Sequence, residues 1–178
     1  MRTFLIRHPK PAVAAGVCYG RSDLGLADDP KRCVESLRPL LPLAAPLYTS
    51  PLRRCLELAR ALHDRPVIDA RLVEMNFGDW EMRRWDDIPR GEVDAWAADP
   101  VGFAPPGGES ATAMRARVAT FLSELPDTAV VVAHGGVLRA CVGELVQVEE
   151  WHTLHFDYGT VSLIEDGRLV WHNVSHAI

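Results

Sequence analysis

Cysteine is scarce and scattered in this chain. The four, Cys18, Cys33, Cys55 and Cys141, form no C-x-x-C pair and have no closely spaced histidine, so neither a disulfide framework nor a structural zinc site is indicated. Free thiols in a reducing cytosol are the simpler reading. Long apolar runs are missing as well: no stretch approaches transmembrane length, and Met1-Arg2 leads into a short run that already carries Arg7, unlike the apolar region of a signal peptide. Positive charge is in the minority, with 19 Lys and Arg against 24 Asp and Glu and a formal net charge of -5. That balance argues against general binding to nucleic acid or an anionic membrane, so any anion must be held by local arginines. Internal repeats and low-complexity tracts are absent too. What remains, at 178 residues, 48% hydrophobic and 24% charged, is most simply one soluble cytoplasmic domain, residues 1–178, long enough to bury a real core.

Two apolar runs end alike, each in a histidine followed by a helix-breaking residue. Thr3-Phe4-Leu5-Ile6-Arg7-His8 runs into Pro9, and Ala129-Val130-Val131-Val132-Ala133-His134 into Gly135-Gly136. Short β-branched runs of this kind read as buried strands of a parallel sheet, and in open α/β sheets the ligand crevice lies at the carboxyl ends of the strands. If the two strands are neighbours, both imidazoles converge on one small ligand. Arg7 adds a fixed charge, and Gly135-Gly136 opens a helix whose free N–H groups attract anions. A phosphate group fits that description.

Strand and helix patterns alternate along the rest of the chain. Helical periodicity covers Asp29 to Leu41, with Pro30 in the first turn, and the helix opened by Pro51 and ending near His63, with Ser50 as its N-cap. Further helices are expected around Arg90 to Ala98, over Glu109 to Leu125 and over Gly136 to Val146. Leu47-Tyr48-Thr49 and Pro66 to Ile68 read as short strands, and Val161 to Ile164 and Arg168 to His172 as a hairpin turning at Asp166-Gly167. Residues 76–106, rich in Trp, Pro and Gly, read as an excursion that covers the site, with too little regular apolar pattern for a core of their own. The pattern as a whole predicts a three-layer α/β/α sandwich around a mostly parallel sheet.

Six blocks then line up in order: Leu5-Ile6-Arg7-His8, Gly20-Arg21-Ser22-Asp23, Ser50-Pro51-Leu52-Arg53-Arg54, Glu74 through Glu81, Pro106-Gly107-Gly108-Glu109-Ser110, and His134-Gly135-Gly136. In this register the chain resembles the histidine phosphatase superfamily, which also contains the phosphoglycerate mutases, over Leu5 to about Leu138. Cys18-Tyr19-Gly20-Arg21-Ser22-Asp23-Leu24 is similar to the α-ribazole phosphatase group of cobalamin synthesis. The resemblance implies a metal- and cofactor-independent phosphomonoesterase. By it His8 is the nucleophile that accepts the phosphoryl group, Arg7 and Arg54 grip the phosphoryl oxygens, and His134 stabilises charge beside them. Glu74 is implied as the general acid that protonates the leaving oxygen and then activates water. Arg21 and Gly135 are expected to contact the small phosphorylated substrate; a homodimer is compatible with the sequence.

Each assignment has a plainer counterpart. His8 alone could be a strand-end residue, Arg54 a helix-surface ion pair like its neighbour Arg53, and Glu74 a solvated loop carboxylate. Trp80, Trp85 and Trp96 read as packing residues rather than a stacking platform. His152 and His155 form an H-x-x-H pair without an evident third ligand; His63, His172 and His176 carry no signal. The chain also departs from the superfamily pattern. Pro9 stands where most members have glycine and removes an N–H, and Met82 replaces a glycine that follows the Trp-Glu pair, which implies strain near Glu74 if φ is positive there. Cys55 stands where a small residue is common. Three other readings remain at this level: a cofactor-dependent mutase, a metallohydrolase using His8 and His134, and a non-catalytic phospholigand-binding module.

Overall fold

In the computed structural model, which describes residues 1–176, regular structure follows the order β1 (Arg2–Arg7), α1 (Lys31–Leu37), β2 (Leu47–Thr49), α2 (Arg53–Leu62), β3 (Val67–Ile68), α3 (Arg90–Ala98), α4 (Ala111–Leu122), β4 (Thr128–Ala133), α5 (Gly135–Val146), β5 (Val161–Glu165) and β6 (Arg168–Val174). The six strands form one sheet in the order β3-β2-β4-β1-β5-β6. The first four are parallel, while β5 and β6 run antiparallel at one edge. Among the described residues no helix is long and apolar enough to cross a membrane.

The two-residue period of the strands sorts their side chains into two cores. Leu5, Val131 and Ala133 face Met114, Val118 and Phe121 of α4 and Val137, Leu138 and Cys141 of α5. Phe4, Ile6, Val130 and Val132 face the other way, against Leu37 of α1 and Cys55, Leu58 and Ala59 of α2. Strands buried on both faces have no polar alternation, which is why β1 and β4 read as continuous apolar runs. The mostly parallel three-layer α/β/α sandwich expected from the sequence is the observed fold.

Local departures have local causes. Helix α1 ends at Leu37 and passes into a 3-10 turn over Arg38–Leu40, because Pro39 has no N–H for the α ladder. Helix α2 starts at Arg53, with Leu52 at its N-cap and no side-chain cap bond, so Ser50 is not the cap that its position suggested. Ser50 instead extends the β2–β4 ladder, its N–H donating to the Val132 carbonyl at 3.1 Å. Residues 76–106 do build a small core: Trp80 and Ile88, with Cys18, pack against Phe77, Trp85, Val93, Trp96 and Phe103. It is made of rings at irregular spacing, which a search for aliphatic periodicity passes over. The hairpin turn does fall at Asp166-Gly167, with φ of 47° and 74°.

Candidate active site

Strands β1 and β4 pair in parallel with Arg7 opposite Ala133, so each ends in its histidine at the same level. The His8 and His134 rings lie 5.1 Å apart between centroids, crossed at 64°. His8 Nδ1 donates to the Pro9 carbonyl at 2.6 Å; a carbonyl can only accept, so in the neutral ring Nε2 keeps its lone pair. Proline at position 9 loses an N–H, but the group used here is its carbonyl, which every residue has. Both rings are almost fully buried. Burial, followed by the Arg54 and Arg7 charges, lowers the His8 pKa to about 3, with the Pro9 bond opposing. Burial, and then His8, Arg54 and Arg7, holds His134 well below the usual range. Both imidazoles are therefore neutral at pH 7.

The two arginines are held without counter-ions. Arg54, fully buried, donates Nη1 to the Ser22 carbonyl at 2.8 Å and Nη2 to the Gly20 carbonyl at 2.5 Å. Arg7 donates to the Phe156 carbonyl and stacks its guanidinium 3.7 Å from the centroid of the Tyr158 ring. Among the described residues neither has a carboxylate within ion-pair distance, and the Nε of each is buried without a hydrogen-bond partner. One buried and one part-buried cation with unused N–H groups make a site for an anion. Arg53, by contrast, is exposed and pairs with Glu57.

Glu74 reaches the N-terminus of α5. Its Oε2 accepts from Gly136 N at 3.0 Å and its Oε1 from Met75 N at 2.9 Å. A Cβ at position 136 would push this carboxylate from its place, so glycine there leaves room for Glu74. Met82 has φ of 64°, the strained region its replacement of glycine implied, yet Glu74 still faces the site. Arg7, His8, Arg54, Glu74 and Gly135 together line a pocket of about 330 Å³. His134 is not on its surface; it is buried against Ser50 and Cys55, its Nε2 2.8 Å from Ser50 Oγ.

Arg21 is not brought to this pocket. Its side chain is half exposed and pairs with Glu109 at 3.2 Å. Trp80 is a buried packing residue whose Nε1 donates to Glu92, whereas Trp85 and Trp96, stacked on each other at 5.6 Å, both line the pocket as well as pack. His152 lines the pocket and His155 is exposed beside Asp157, so the H-x-x-H pair does not converge. Among the described residues no group of three His, Cys, Asp or Glu side chains is placed to hold a metal ion.

Sequence reasoning missed Arg139, which lines the pocket from α5 with its Nε on the Leu154 carbonyl at 2.7 Å. Its spacing of four from Gly135 on a recognised helix was the available signal. Also missed were Tyr19 and Tyr158, whose hydroxyls meet at 2.6 Å across the loops that carry them. No sequence pattern announces a contact between residues so far apart.

Residues 3–177 match the model of the histidine phosphatase superfamily (branch 1). The chain belongs to the histidine phosphatase superfamily. Among curated superfamily relatives, it is 32% identical over 177 residues to the adenosylcobalamin/alpha-ribazole phosphatase of Salmonella typhimurium, covering 88% of this chain and 85% of that one. It is 29% identical to the putative phosphoserine phosphatase 2 of Hydrogenobacter thermophilus, covering 97% and 95%. The alpha-ribazole phosphatase of Shigella flexneri superposes with a TM-score of 0.84 at 25% identity, over 100% of this chain and 99% of that one.

Proposed function

We propose that this superfamily member hydrolyses small phosphomonoesters in two steps through a phosphohistidine on His8, with no metal or cofactor. The observation that carries this reading is the fixed tautomer of His8: with Nδ1–H held by Pro9, the lone pair of Nε2 is the nucleophile, in a pocket it shares with Arg7 and Arg54. In the first step Nε2 bonds to phosphorus as the P–O ester bond breaks, and protonated Glu74 gives its proton to the leaving oxygen. In the second, ionised Glu74 takes a proton from water, the water oxygen bonds to phosphorus, and the N–P bond breaks to return neutral His8 and release phosphate. Arg7 and Arg54 hold the non-bridging oxygens throughout, where charge-assisted bidentate bonds are strongest.

For substrate, α-ribazole 5′-phosphate has the support of two named relatives and of the stacked Trp85-Trp96 rings on the pocket wall. Phosphoserine is the second reading, because Arg139 lines the same pocket with no carboxylate within ion-pair distance among the described residues, the Glu74 charge acting on it only from farther off. A cytoplasmic location accompanies either reading.

Rapid quench with labelled substrate should give a phosphoprotein stable in alkali and labile in acid, and His8→Ala should abolish it. A label that survives His8→Ala sinks the assignment. Turnover should persist in EDTA; a complete, metal-reversible loss would favour a metallohydrolase. A panel with α-ribazole 5′-phosphate, phosphoserine and 3-phosphoglycerate then ranks the substrates.

A further inference from the structure

We propose that Ser50 is a positioning residue that holds His134 in the tautomer with its proton on Nδ1, so that the histidine pair offers the phosphoryl group one lone pair, from His8, and one N–H, from His134. The proposal rests on the phosphohistidine reading above. It is carried by the surroundings of His134 Nε2, which differ in kind from those of His8 Nδ1. The latter faces a carbonyl, which forces a proton onto it. His134 Nε2 faces a hydroxyl, 2.8 Å away, and a hydroxyl either donates or accepts.

The rest of the Ser50 environment decides which. Its Oγ already accepts from Leu52 N at 3.3 Å, and Ser50 itself is fully buried and pinned beside the end of β4 by its N–H bond to Val132. Among the described residues its own hydrogen has two acceptors in reach, His134 Nε2 at 2.8 Å and the Cys55 sulfur, and a thiol sulfur accepts only weakly. Were Nε2 protonated, the hydroxyl would receive two N–H donors and its own hydrogen would be left with that sulfur alone, a loss that shifts the equilibrium by about tenfold. Cys55 adds to the bias. Its Sγ lies 3.4 Å from Nε2 and 3.7 Å from Nδ1, and burial pushes the thiol far up, so it stays an S–H and a weak donor, nearer to Nε2. With Nε2 receiving, the neutral ring must carry its proton on Nδ1. The His134 ring lies beside the pocket-lining His8, 5.1 Å away between centroids, with Nδ1 on the side of the ring away from Ser50. That N–H therefore adds its dipole to the charges of Arg7 and Arg54 as charge builds on the phosphoryl oxygens, where the opposite tautomer would set a lone pair.

The resting wild-type enzyme decides the point by long-range ¹⁵N–¹H correlation of its histidine rings: His134 should show an unprotonated Nε2 and a protonated Nδ1, and the reverse overturns the proposal. In Ser50→Ala, kcat should fall by about 10²-fold, the usual worth of one donor on a developing oxyanion, with KM changed far less. Ser50→Thr, which keeps the hydroxyl, should restore most of that loss, and Ser50→Ala turning over at the wild-type rate overturns the proposal. The spectrum needs neither turnover nor a variant. An active wild type with Nε2 protonated therefore defeats this proposal alone, and a wild type inactive on every phosphomonoester defeats the phosphatase reading itself.

Discussion

Replacing Glu74 by glutamine separates proton transfer from everything else that this side chain does. The carboxylate accepts two backbone N–H bonds, from Gly136 and from Met75. Glutamine keeps one accepting oxygen and turns an NH₂ toward the other N–H, so one partly buried donor loses its partner at a cost of about 1–3 kcal/mol. For a chain of this size each kcal/mol lowers Tm by about 2–4 °C, and the variant should melt several degrees lower but remain folded at 25 °C. The kinetic effect should be larger and selective. General acid help is worth about 10²–10⁴-fold when an alkoxide must leave, or about 3–5 kcal/mol of barrier, and little when the leaving group is a stabilised nitrophenolate. Because Glu74 is also expected to activate water in the second step, steady-state rates mix its two roles. The assay is therefore the single-turnover rate of leaving-group release, compared for an alkyl phosphate and p-nitrophenyl phosphate. Equal losses on both would show that Glu74 only positions the phosphate or its loop, and no loss on either would remove it from the chemistry.

Acid should destabilise the protein earlier than its carboxylates alone would allow. His8 and His134 are neutral when folded and titrate near pH 6.5 when unfolded, so below that pH the unfolded state binds more protons and stability falls as pH drops toward the folded His8 value of about 3. Each contributes a slope that approaches about 1.4 kcal/mol per pH unit below the unfolded pKa, so between pH 6.5 and 5 the pair should cost about 3 kcal/mol and lower Tm by roughly 7–13 °C; a flat Tm across that window would contradict the buried, neutral assignment. Met82→Gly should relieve the left-handed backbone, worth about 1 kcal/mol, and raise Tm by about 2–4 °C in a thermal melt. A lowered Tm would mean that packing by the Met82 side chain outweighs the strain.

The features legible in the sequence are those written in consecutive residues. β1 and β4 announced themselves because strands buried on both faces are apolar throughout, and the β5–β6 turn because Asp-Gly tolerates the positive φ found there. His8, His134, Arg54 and Glu74 could be picked out because each sits in a block with its own spacing. Ser50 is the instructive miss. Its position before Pro51 favours a helix cap, but strand pairing to Val132 took its backbone first and aimed its hydroxyl at a histidine 84 residues away. Arg139 and the Tyr19–Tyr158 contact were hidden for the same reason: their meaning lies in which loops meet, and loop meetings leave no periodicity.

Three glutamates from neighbouring blocks show how surroundings, rather than residue type, divide the labour. Burial alone would raise the Glu81 carboxyl, but bonds from Ser22, Gly20, Phe77 and Arg21 outweigh it and hold it below the ordinary range. A carboxylate so committed stays ionised and cannot lend a proton; what it does is fix residues 20–22, whose Gly20 and Ser22 carbonyls in turn hold Arg54. Glu109 is also held low, with the bonds and charge of Arg117, the Asn76 N–H and Arg21 outweighing its burial. It acts on the site only at a distance, since Arg117 also donates to the Glu74 carbonyl at 3.2 Å. Of the three, Glu74 alone lines the pocket and has no cation among its hydrogen-bond partners. A general acid must be able to hold a proton where the leaving oxygen departs. Position and partners together therefore favour Glu74 over Glu81 and Glu109 for that role in the proposed reaction, and leave the other two to support the arginine and the loop on which it depends.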